Sequence, residues 1–85
     1  MSEQKLEASF STLVLSIGST AAMALGLAPN PQTGQTEKDL TLARFNIDLL
    51  LMLKEKTQTH RSEDESRFLD RMLSDLQLAF VREKG

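Results

Sequence analysis

Cysteine is absent from this chain, which excludes disulfide staples, thiolate metal sites and a cysteine nucleophile. A single histidine, His60, excludes a paired-histidine metal motif. Tyrosine and tryptophan are missing as well, and both prolines, Pro29 and Pro31, sit in one short segment. Charge is missing in a block: from Ala8 to Thr36 no side chain ionises. The net charge of −2 provides no global basic field for nucleic acid or anionic lipid. With 85 residues there is one domain at most, and a chain of that size is marginal when it folds alone. Without disulfides or thiolate-bound metal, the remaining routes to stability are helix packing and oligomerisation.

The uncharged half raises the question of a membrane segment, because 10–28 is about the length that crosses a bilayer. Ser11, Thr12, Ser16, Ser19 and Thr20 interrupt its apolar character, and Glu3, Lys5 and Glu7 replace the basic flank of a secretory signal. A buried helix is the better expectation. The lack of cysteine is also compatible with a reducing compartment, so a cytoplasmic location is expected.

Hydrophobic spacing predicts three helices in one all-α domain covering 1–85, with 1–8 as a tail. Helix 1 is expected over 9–25, capped by Ser9 or Ser11 and stopped by Gly26 and Pro29. Phe10, Leu13, Val14, Ile17, Ala21, Ala24 and Leu25 fall on one stripe of it. Gly18, Ala22 and Gly26 add the small-residue spacing that lets another backbone approach closely. The segment 29–35 reads as a rigid connection, its prolines fixing extended backbone and Gly34 relaxing the exit.

Helix 2 is expected over 37–57, opened by Thr36 and Asp39 in a near capping box. Glu37, Thr41, Arg44, Asp48 and Glu55 share a narrow polar stripe, with Arg44 and Asp48 one turn apart as an ion pair. Leu40, Leu42, Ala43, Phe45, Ile47, Leu49, Leu50, Leu51, Met52 and Leu53 occupy most of the remaining circumference. A surface helix carries an apolar arc of little more than 100°, so this helix is central, and two neighbours can hardly cover it. Asn46 lies inside the arc. It can fix an oligomer's register by a symmetric hydrogen bond, or bond within its own chain. Helix 3 is expected over 63–82, capped reciprocally by Ser62 and Glu65. Phe68, Leu69, Met72, Leu73, Leu76, Ala79 and Phe80 form its core stripe, with Leu78 and Val81 off it, either as scattered surface apolar residues or as a subunit contact.

A search for chemistry finds little. His60 lies in the turn before helix 3, where Ser62 and Glu65 are already accounted for by capping. Glu63, Asp64 and Glu65 are the acidic first turn that the helix dipole favours, and consecutive helical positions do not converge on a metal. Neither a phosphate loop nor a dinucleotide fingerprint is present. Arg61, Arg67, Arg71 and Arg82 are interspersed with Asp70 and Asp75, as on a solvated face. No cofactor, no catalytic activity and no nucleic-acid partner are expected.

Taken together, several runs resemble a known family. They are Phe10-Ser11-Thr12-Leu13-Val14-Leu15-Ser16, Leu25-Gly26, Pro29-x-Pro31-x-Thr33-Gly34, Asp39-Leu40-x-Leu42-Ala43, Ile47-Asp48-Leu49-Leu50-x-Met52-Leu53 and Glu55-Lys56-Thr57. The combination, spanning Phe10 to Val81, resembles the bacterial domain-of-unknown-function family 1844. The resemblance implies a short helical protein and brings no catalytic residues with it. Two departures stand out: Thr59-His60-Arg61 where family-like sequences carry Gly-Asn-Leu, and Phe80 where they carry tyrosine.

The leading expectation is a non-enzymatic module that pairs with itself, a dimer being favoured, or with another protein. The residues expected at the contact are Gly18, Ala22, Leu42, Phe45, Asn46, Leu49 and Leu53. The alternative is a peripheral membrane subunit using helix 1 as its apolar surface.

Overall fold

The computed structural model describes residues 8–84, so all but the last residue of the expected N-terminal tail lies outside it. Its elements are α1 (Phe10–Ala24), α2 (Leu40–Lys56) and α3 (Glu63–Lys84). An all-α, three-helix fold was the expectation, and the described residues form it.

Helix α1 has no acidic residue in its first turn and no basic residue in its last, so its ends rest on hydrogen bonds rather than charge. Ser9 caps the start, its Oγ accepting from the Thr12 N–H at 3.1 Å. The end is a Schellman turn: Gly26 N–H donates to Met23 O and Leu27 N–H to Ala22 O, each at 3.0 Å. Gly26 takes φ 79° there, which a glycine adopts without strain. The connection then folds on itself around Asn30. Its carbonyl accepts from Thr33 and Gly34, and its Oδ1 accepts from the Gln32 N–H at 2.9 Å. Leu25 and Lys38 face each other in an antiparallel bridge, and the Asp39 N–H donates to Ala24 O at 2.7 Å. These bonds clamp the end of α1 to the start of α2.

That clamp corrects the predicted start of helix 2. Residues 37–39 are not helical, because the bridge holds the chain extended and the Asp39 N–H is already bonded to α1. The cap is Asp39, not Thr36: its Oδ1 accepts from the Leu42 N–H at 3.0 Å. At the far end Thr57 Oγ1 donates to Leu53 O at 2.6 Å. The Arg61 guanidinium donates to Lys54 O at 2.9 Å and to Ser66 Oγ at 3.2 Å, tying the last turn of α2 to α3. Helix α3 opens with the reciprocal bonds expected of Ser62 and Glu65, at 2.8 and 3.1 Å.

The core is aliphatic: Val14, Ala21, Ala24, Leu25, Ala43, Ile47, Leu50, Leu69, Leu73, Leu76 and Ala79 are all buried. Ala21, Ala24 and Ala43 keep α1 and α2 close, and α1 packs chiefly against α2. Gly18 does the same for α1 and α3, since a Cβ there would collide with Met72 Sδ. Ion pairs from Lys38 to Glu83 and from Lys54 to Asp70 tie the segment entering α2 and the last turn of α2 to α3. The helix 1 stripe needs one correction. Leu13 is 46% exposed, because the buried arc of α1 centres on Val14, Gly18 and Ala21 and leaves Leu13 at its edge.

Candidate functional site

Helix α2 lies between the other two, yet they do not cover it. Ala43, Ile47 and Leu50 are buried at its centre, with Leu40 and Leu53 packed beside them. On one flank Ile47, Leu51, Phe80 and Val81 line a shallow groove against α3. On the other, Leu42 lines a cleft with Thr20 and Met23 of α1. Beyond that cleft the apolar arc of α2 continues with no neighbour. Leu42 is 42% exposed, Phe45 57% and Met52 44%, and Leu49 between them is half-buried. Their 3-4-3 spacing forms a straight seam on one helix face, like the a and d positions of a coiled coil. Leu13 lies two turns before Thr20 on the same face of α1 and extends the patch across the cleft.

The expected contact residues divide cleanly. Leu42 and Phe45 belong to the open seam, Leu49 is its recessed middle, and Leu53 is half-buried against the core. Gly18 is not available to a second chain as expected: it is buried against Met72 of the same chain. Ala22 is half-buried and also packs on the core. Asn46 is 6% exposed, and its Nδ2 donates to Leu42 O, one turn earlier, at 2.9 Å. Of the two roles open to Asn46, the bond within its own chain is the one formed. Met52 and Leu13, exposed beside the seam, were not among the expected contact residues. The seam spacing through Met52 was readable in the sequence, whereas the position of Leu13 depends on how α1 is rotated against its neighbours.

Among the described residues, polar groups gather no comparable site. His60 is exposed in the turn, its Nδ1 within 3.1 Å of Thr59 Oγ1. Arg67 pairs with both Glu63 and Asp64, and Arg44 Nε stands 3.6 Å from Asp48. Among the described residues no group of three or more histidine and carboxylate side chains could hold a metal ion. No helix among them is long and apolar enough to cross a membrane.

Residues 7–82 match the family described as a domain of unknown function (DUF1844). The chain belongs to the DUF1844 family. No curated protein and no solved structure matches it. Membership of DUF1844 agrees with the resemblance carried by the runs in α1, the proline segment and α2, and it assigns no activity to any residue. The match includes the whole seam, together with the clamp and caps that position α2.

Proposed function

We propose that this chain is a non-catalytic helical module that acts by self-association, two copies closing over the α2 seam. The observation that carries this reading is the open row Leu42, Phe45, Leu49 and Met52 on one face of α2. With Leu13 these side chains leave on the order of 400 Å² of apolar surface bare, the size of the largest apolar patch on an ordinary monomer, which is often functional. A partner that covers it removes that surface from water at roughly 25 cal/mol per Å² before the costs of association. Residues elsewhere support the same reading. The uncharged α1 is stabilised by packing rather than by its own charges, and its buried face is already matched to α2 and α3. That engagement of α1 within the fold weighs against the membrane alternative, which needed α1 as a free apolar surface. A cytoplasmic setting belongs to the same proposal, on the ground that a cysteine-free chain relies on no oxidising compartment.

The test is size exclusion with light scattering on the untagged chain and on a Phe45→Glu variant. The wild type is expected near twice the 9.5 kDa chain mass, and the variant near 9.5 kDa with unchanged helical circular dichroism. A wild type that stays at the single-chain mass at the highest soluble concentration sinks the proposal.

A further inference from the structure

Building on that self-association, we infer that the two copies pair with their α2 helices antiparallel about a two-fold axis crossing the seam midway between Phe45 and Leu49. Three features of the seam lead to this geometry.

The first is shape. Phe45 stands out at 57% exposure while Leu49, one turn on, is recessed. Antiparallel pairing sets Phe45 over the partner's Leu49 and Leu42 over the partner's Met52, so each projection meets a recess or a flexible side chain. Parallel pairing sets Phe45 against the partner's Phe45 and leaves the two Leu49 positions facing across a gap, which close-packed contacts avoid.

The second is charge. The last turn of α2 is basic, with Lys54 and Lys56, and Lys54 is already paired with Asp70. The residues leading into α2 include Glu37 and Asp39, and the intervening Lys38 is paired with Glu83. What remains on the seam side is an acidic entrance and, at the exit, Lys56 one turn after Met52, while Glu55 beside it lies on the polar stripe. Antiparallel packing brings Lys56 to the partner's Glu37 and Asp39 at both ends of the contact. Parallel packing stacks like on like, and it also aligns the two helix dipoles unfavourably.

The third is area. Apolar atoms make up about 57% of an ordinary interface, so an apolar centre of ~400 Å² implies roughly 700 Å² a side. That is close to the ~800 Å² a side of a standard stable complex. A second copy is therefore a partner of the right size, and a two-fold arrangement makes the patch its own complement.

The absence of native cysteine makes the experiment direct. A spin label is attached through Glu55→Cys, and in a second sample through Thr41→Cys, both exposed positions on the polar side of α2. Dipolar distances are then measured in the full chain. With 1.5 Å of rise per residue and helix axes 8–10 Å apart, antiparallel pairing places the two Cα atoms about 26 Å apart at position 55 and about 20 Å at position 41. Distances near 10 Å at both sites overturn the antiparallel geometry while leaving self-association standing. No dipolar coupling in samples whose mass is that of one chain overturns the underlying proposal as well. A charge exchange gives a readout without labels. Lys56→Glu is expected to weaken the dimer about five-fold, from two modest exposed ion pairs. Glu37→Lys in the same chain is expected to restore it. Tighter pairing of Lys56→Glu alone contradicts the arrangement.

Discussion

Phe45→Ala separates a covered seam from a bare one by the size of the loss. In the single chain Phe45 is 57% exposed, so the isolated fold buries roughly two fifths of the side chain. Fully buried Phe→Ala replacements cost about 3–5 kcal/mol, which scales to about 1.5 kcal/mol for the part that one chain covers. If a second copy covers the remainder, the loss rises to about 3 kcal/mol or more per chain. The two cases differ by more than the error of a denaturant titration on a small two-state domain. Urea unfolding of wild type and variant at two protein concentrations, a hundredfold apart, therefore decides between them. A dimer must also show a wild-type midpoint that rises with concentration, by mass action. A loss near 1.5 kcal/mol at both concentrations, with a wild-type midpoint that does not move, would refute the reasoning.

Other substitutions test the account of the fold. Gly18→Val forces a branched side chain into Met72 Sδ and is expected to cost about 1–3 kcal/mol in urea unfolding, as overpacking does; a neutral result would mean that the flexible Met72 side chain swings aside to make room. Leu50→Ala empties a position with no exposed surface and should cost about 2–5 kcal/mol, enough to unfold a marginal domain at 37 °C by circular dichroism. Asn46→Leu should shift stability by no more than about 1 kcal/mol and leave the light-scattering mass unchanged, because the amide bonds its own helix. A changed mass would return Asn46 to the interface.

Much of this arrangement is local, and what is local was legible in the sequence. Ser62 and Glu65 cap α3 through bonds between near neighbours, and the α3 stripe from Phe68 to Phe80 buries the side it predicts. The width of the apolar arc on α2 marked it as the helix its neighbours cannot cover. Features set by long-range contacts were not legible. Helix 2 starts at Leu40 because Lys38 bridges Leu25, a pairing that no pattern around Thr36 reveals. Gly18 looked free for a second chain, and only the position of Met72 shows that its space is taken. Leu13 fitted the core stripe of α1 by spacing, yet the rotation of α1 toward Val14 and Gly18 leaves it at the margin. For the site itself, Leu42, Phe45 and Leu49 followed from composition around the wheel. Met52 completes the seam by spacing alone.

Nuclear magnetic resonance of the labelled wild type on dilution shows whether a second copy covers the α2 seam. Concentration-dependent shifts are expected at Leu13, Leu42, Phe45, Leu49 and Met52, with Leu51, Leu78 and Val81 unmoved. Spectra unchanged on dilution at the single-chain tumbling rate, or shifts concentrated instead at Leu51, Leu78 and Val81, would contradict pairing over that seam.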